Sequence, residues 1–168
     1  FNASVFNQDI GSWDTSSVTD MTQTFRGAKA FNQPITSAPN RWDVRRVTSM
    51  FLMFKDAHAF DQTIEWDGTD GTVLVRNMQQ MFEHALVLNS PVNLKTSLVN
   101  NMRQMFNVAR KFNQPLNFDT AQVTTMRAMF ANMNDFNSSI NFTTTSKVKS
   151  MRAMFYKAKK FNQPLNFD

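Results

Sequence analysis

The sequence predicts an α/β solenoid: a right-handed coil whose short strands stack into one parallel sheet and whose short helices or helical turns line the other side, with six full repeats and partial ends. Three observations predict it. A unit of about 25 residues recurs along nearly the whole chain, the apolar residues within each unit fall at helical spacing, and each unit continues into an extended segment, often through a proline.

The repeat comes first because every other reading depends on its register. FNQP-like starts stand at Phe6, Phe31, Phe60, Leu88, Phe112, Phe136 and Phe161, in steps of 25, 29, 28, 24, 24 and 25 residues. A second pattern locks this alignment. Val18, Val47, Val75, Val99, Val123 and Val148 each stand three residues before a Met (Met21, Met50, Met78, Met102, Met126, Met151), and four residues after that Met comes Phe25, Phe54, Phe82, Phe106, Phe130 or Phe155. Each Val lies 13 residues before the next start, so all variation in length falls in one loop per repeat.

Composition follows from the repetition. All 12 Met and most of the 17 Phe fill recurring slots, and the three Trp share one more, as Trp13, Trp42 and Trp66. Methionine is a good filler of irregular gaps, so these residues read as core rather than as a copper site. Val18, Met21, Phe25 and Ala28 are spaced three, four and three residues apart, which predicts a helical face. The preceding Asp14–Ser17 stretch offers side-chain oxygens to cap it, and Pro34, Pro91, Pro115 and Pro164 mark where a helix cannot continue. The Asn after each start, at Asn7, Asn32, Asn89, Asn113, Asn137 and Asn162 with Asp61 as the exception, predicts either a ladder joining successive coils or a local Asx-turn. One such unit cannot bury enough surface alone, so stacking on neighbours is required.

The stretch FNQPLNFDTAQVTTMRAMFANM (residues 112–133) resembles the repeats of mycoplasma surface lipoproteins and of many bacterial and algal proteins annotated only as domains of unknown function. It is also similar, position by position, to the BspA-type leucine-rich repeat, in which Val, Ile, Ala-Phe, Cys and Leu occupy the slots of Val123, Met126, Met129-Phe130, Met133 and Phe136. The resemblance implies a leucine-rich-repeat-like solenoid and an extracellular or cell-surface location, the alternative being a place inside a multi-protein assembly.

Catalytic signals are absent from the sequence: there is no cysteine, no phosphate loop and no GxSxG, and His58 and His84 read as solvated histidines. The sequence therefore predicts no enzyme, cofactor or resident metal. The loop EWDGTDGT brings Glu65, Asp67 and Asp70 together, but lacks EF-hand spacing and reads as a tight turn. Asn2, Asn137 and Asn141 begin Asn-x-Ser/Thr triplets, close to the number expected by chance. No apolar run is long enough to span a membrane as a helix.

Charge is more informative. Residues 1–100 carry eight Lys plus Arg against ten Asp plus Glu, whereas residues 101–168 carry ten against three, a net of −2 against +7. Arg103, Arg127 and Arg152 all follow the first Met of their repeats and predict one basic column, to which Lys147, Lys149, Lys157, Lys159 and Lys160 add charge. Such a surface would meet an acidic protein, an acidic glycan or another anionic surface. Nucleic acid is disfavoured, because the aromatics are committed to the core rather than free to stack on bases.

The sequence thus predicts a single repeat domain over residues 1–168 that presents a protein- or glycan-binding surface without catalysis. The alternative is a structural or linker subunit of a larger assembly. The chain opens and closes part-way through a repeat, which predicts a piece of a longer array.

Overall fold

The computed structural model describes residues 2–36, 41–66, 68 and 71–165. Among these there are four short strands: β1 (Ile64–Trp66), β2 (Val92–Leu94), β3 (Leu116–Phe118) and β4 (Ile140–Phe142). They form two separate two-stranded parallel sheets, with Ile64 beside Val92 in β1–β2 and Leu116 beside Ile140 in β3–β4. In each strand the outer two residues are buried and the middle one is exposed, the period of a half-buried strand. The neighbours β2 and β3 do not pair as strands.

The α/β class is corrected here. No helix occurs among the described residues, and the expected single sheet is two small ones, so the fold is β-rich and the leucine-rich-repeat solenoid is not supported. The segments spaced like a helical face are runs of overlapping turns. Every backbone N–H from Met102 to Ala109 shows why. Those of Met102, Gln104, Phe106 and Val108 leave the repeat and donate to the carbonyls of Thr125, Arg127, Met129 and Ala131. Those of Met105, Asn107 and Ala109 turn back three residues, to Met102, Gln104 and Phe106. The remaining N–H, of Arg103, goes to Asn101 Oδ1 at 3.1 Å, a side-chain turn of the Asx type. No N–H is left for the i−4 bond of an α-helix.

Alternate donors point outward only if the backbone reverses hand at intervals. The residues two and six after each first Met do so: Gln23 and Gly27, Leu52 and Asp56, Gln80 and His84, Gln104 and Val108, Ala128 and Asn132, Ala153 and Lys157 all have φ between 53° and 72°. Overlapping turns advance the side chains by threes and fours, as a helix does. The same buried Met–Met–Phe–Ala pattern therefore results from different hydrogen bonds.

Four such bonds cross each of the five junctions from Met21 to Met151. Beside them runs a line of single parallel bridges through Asp20, Ser49, Asn77, Asn101, Thr125 and Ser150. Inside, the phenylalanines form two stacked columns. One contains Phe25, Phe54, Phe82, Phe106, Phe130 and Phe155, with ring centroids 5.3 to 6.0 Å apart. The other contains the start residues, and is interrupted at Leu88.

The start-site amides act between repeats. Asn7, Asn32, Asp61, Asn89, Asn113 and Asn137 each accept, through Oδ1, the backbone N–H of the counterpart in the next repeat at 2.7 to 2.9 Å. Only an acceptor is used, which is why Asp61 fits. The hydroxyl of Thr15, in the stretch expected to cap a helix, instead donates to the carbonyl of Asp43 in the next repeat, and its counterparts Thr72 and Thr120 donate likewise to the carbonyls of Lys95 and Thr144.

Glycine scanning distinguishes a turn run from a helix. Ala128 has φ 53°, a conformation that costs a non-glycine residue about 1 kcal/mol or more. Ala128→Gly is therefore expected to raise the unfolding free energy by about 0.5–1 kcal/mol, read as a higher urea midpoint, whereas in a helix it would lower stability by about 1 kcal/mol. Val108→Gly should behave likewise, since a β-branched side chain at φ 62° is more strained still.

Candidate functional site

The basic residues are distributed by the repeat register over several strips. Arg103, Arg127 and Arg152 hold equivalent places on consecutive repeats, their carbonyls accepting the N–H groups of Gln80, Gln104 and Ala128 at 2.9 Å. Arg127 and Arg152 are exposed, Arg103 is half-buried, and in the repeats before them the same place is held by Thr22, Phe51 and Gln79. Lys147 and Lys149 stand elsewhere, four and two residues before the first Met of their repeat. Lys147 Nζ donates to Gln122 Oε1 at 2.7 Å, beside a shallow hollow of about 400 Å³ shared with Arg76, Leu98 and Thr124. The structure therefore does not gather all the predicted cations into one column.

Lys160 is held by an acid. Its Nζ lies 2.7 Å from Asp135 Oδ1, and Lys111 stands 3.9 Å from the other carboxylate oxygen. The hydrogen bond from Lys160, then its charge, hold the Asp135 carboxyl below the usual aspartate value, with a smaller pull from Lys111.

Lys157 and Lys159 are brought together with another cation and with uncharged residues that the charge pattern did not single out. They line a groove of about 490 Å³ with His84, Val108, Arg110, Asn132 and Asn134. Its lining comes from two places in the repeat, six and eight residues after the first Met: His84, Val108, Asn132 and Lys157 at the first, and Arg110, Asn134 and Lys159 at the second. The first place is held by left-handed turn residues, and Val108 is the only β-branched residue there. Among the described residues no carboxylate lines the groove. Asp56 and Asp135 nearby in the register are already held, Asp56 by His84 Nδ1 at 2.9 Å and Asp135 by Lys160. Lys157 also lies over the Tyr156 ring, 5.2 Å from its centroid.

A buried network supports the lining residue Asn132. Asn132 Nδ2 donates to Asn107 Oδ1 at 3.0 Å, and Asn107 Nδ2 donates to Glu83 Oε1 at 2.7 Å. Glu83 is only 4% exposed, and its carboxylate also receives Lys55 Nζ at 2.6 Å and the side-chain amides of Gln80 and Gln104. Four repeats are joined by this network. Neither charge nor hydropathy signalled it; the only available sign was a Glu in a slot whose counterparts are Arg26, Lys55, Asn107, Ala131 and Tyr156.

The remaining candidates are dispersed. His84 pairs with Asp56 rather than with His58, and among the described residues no group of three His, Asp or Glu is placed to hold a metal. Glu65 is the exposed middle residue of β1, while Asp67 and Asp70 lie outside the described residues. Asn7, Asn32, Asn89, Asn113, Asn137 and Asn162 stand on the inter-repeat ladder.

Two measurements examine these ion pairs. Lys55→Met leaves a buried carboxylate without its cation and is expected to cost about 3 kcal/mol in chemical denaturation, with much of the loss recovered in Lys55→Met/Glu83→Leu. For Asp135 the folded pKa lies below the unfolded one, so its contribution is present above the ordinary aspartate value and is lost as pH falls through the lowered one. An NMR titration should give Asp135 a midpoint below that of an ordinary aspartate, and Lys160→Met should raise it.

Compared with known proteins, residues 1–93 and again residues 76–167 match one family model, described as Mycoplasma protein of unknown function, DUF285. The match supports the mycoplasma-type repeat and does not show the BspA-type likeness. No curated protein and no solved structure matches the chain. With nearly the whole length covered by the two matched stretches, the chain belongs to the DUF285 family of mycoplasma-type proteins of unknown function.

Proposed function

We propose that this chain is a non-catalytic repeat module that presents a binding surface to a protein or glycan partner, at the cell surface or after secretion. The observation that carries the reading is the groove. Arg110, Lys157 and Lys159 converge there with two amides and no carboxylate, on a backbone joined to its neighbours by hydrogen bonds from His84, Val108 and Asn132. A preformed, net-positive hollow attracts an anionic partner, and because the site is already built, little conformational entropy is lost on binding. The mycoplasma-type family supports the surface location. Among the described residues no helix is long and apolar enough to cross a membrane.

The reading is tested by passing the purified chain over arrays of proteins and glycans at low and high salt. We expect retention of acidic partners that weakens as salt rises. Lys157→Glu/Lys159→Glu should lower affinity at least about tenfold, equivalent to about 1.4 kcal/mol. The triple change of Arg103, Arg127 and Arg152 to Glu should lower it less, because those side chains lie outside the groove. Absence of any retained partner, or equal retention by the Lys157/Lys159 variant, would overturn the proposal.

A further inference from the structure

The order of side chains along the groove carries more information than its net charge. Counted by repeat, the groove opens with His84 and continues to a repeat carrying Val108 and Arg110, a repeat carrying Asn132 and Asn134, and a repeat carrying Lys157 and Lys159. The three repeats from Val108 to Lys159 thus run cation, amide, cation. Consecutive rungs are joined backbone to backbone, Val108 N to Ala131 O and Asn132 N to Tyr156 O. Parallel neighbours of this kind stand about 4.8 Å apart, so the two cationic rungs are about 10 Å apart with an uncharged amide rung midway.

We infer that the groove binds a linear glycan in which acidic sugar units alternate with uncharged, amide- or hydroxyl-rich ones. This rests on the binding-module reading above and specifies its ligand. Arg110 takes one carboxylate, Lys157 and Lys159 take the next, and Asn132 and Asn134 offer amide donors and acceptors to the neutral unit between them. Asn132 is oriented for this by its bond to Asn107, which leaves its carbonyl oxygen free of that contact. A polyanion charged at every unit fits less well, since an amide rung does not neutralise a charge placed against it. A nucleic acid has a phosphate at every unit and needs aromatic platforms, whereas the phenylalanines facing the interior here are stacked on one another.

The test measures binding of defined oligosaccharides of equal length to the whole chain by calorimetry at one ionic strength. The probes are a chain alternating uronate with N-acetylated amino sugar, a uronate homopolymer, an uncharged amino-sugar chain and a heavily sulfated glycan, with single-stranded DNA and the proteins retained on the array alongside. The alternating chain should bind at least about tenfold tighter than the others. Arg110→Glu and Asn134→Asp change exposed side chains, and unaltered melting curves would confirm that both variants fold. Each should weaken the alternating chain about tenfold, and Asn134→Asp should weaken the uronate homopolymer as well, since it sets a carboxylate against a charged unit.

Tightest binding by the homopolymer, the sulfated glycan or DNA would show that the groove reads charge alone, and would overturn the inference while leaving the binding-module reading in place. Retention of proteins but no glycan would have the same effect. Binding of the alternating chain unchanged by both variants would place that ligand elsewhere and overturn the inference. No binding to any probe would overturn both.

Discussion

The fold depends on where alternate backbone N–H groups point. In each of the five runs that begin at Met21, Met50, Met78, Met102 and Met126, every second amide donates across to the next repeat while those between turn back on their own chain or to a nearby side chain. A right-handed helix spends its donors internally after the first turn and would leave no such alternating row to join one repeat to the next. The left-handed residue that recurs two and six places after each first Met is the local cost of that outward traffic. Packing then makes the cost tolerable. Two columns of phenylalanine rings sit directly inside the hydrogen-bonded runs, so any slippage between repeats would break the bonds and unstack the rings together.

Much of this was legible in the amino-acid sequence. The constant 13-residue distance from Val to the next start set a register that the stacked columns share, and it placed Phe25 and its counterparts in one buried line. The helix was misread for a physical reason. Spacing by threes and fours reports which side chains share a face, and overlapping three-residue turns produce it as readily as a helix does. The composition of the left-handed places was the overlooked warning. Gly27, Asp56, His84 and Asn132 are residues more at ease at positive φ, but Leu52 and Val108 in the same places obscured the signal.

The groove was legible only in part. Lys157 and Lys159 stood out by charge, yet charge alone grouped them with Lys147, Lys149 and the arginines, which the repeat register distributes over other strips. Asn132 and Asn134 carry no such sign, because asparagine is common throughout this chain and serves the ladder as well as the groove. Their meaning comes from position, six and eight residues past a Met, which becomes informative once those two places are known to line one hollow. Glu83 is similar: a charged residue at 4% exposure reads as an anomaly until its lysine and three amides are seen together.

The asparagine ladder has a consequence for how such a chain changes over generations. Each rung joins a side-chain oxygen of one unit to a main-chain N–H of the next, and the receiving half is therefore the same whatever residue stands there. A unit copied within the gene would arrive with both halves of its joint already matched to any neighbour, and the loop before the Val can lengthen without disturbing them. Growth, loss and shuffling of units are therefore open to this architecture with no new interface to invent, while the surface side chains of each copy remain free to diverge.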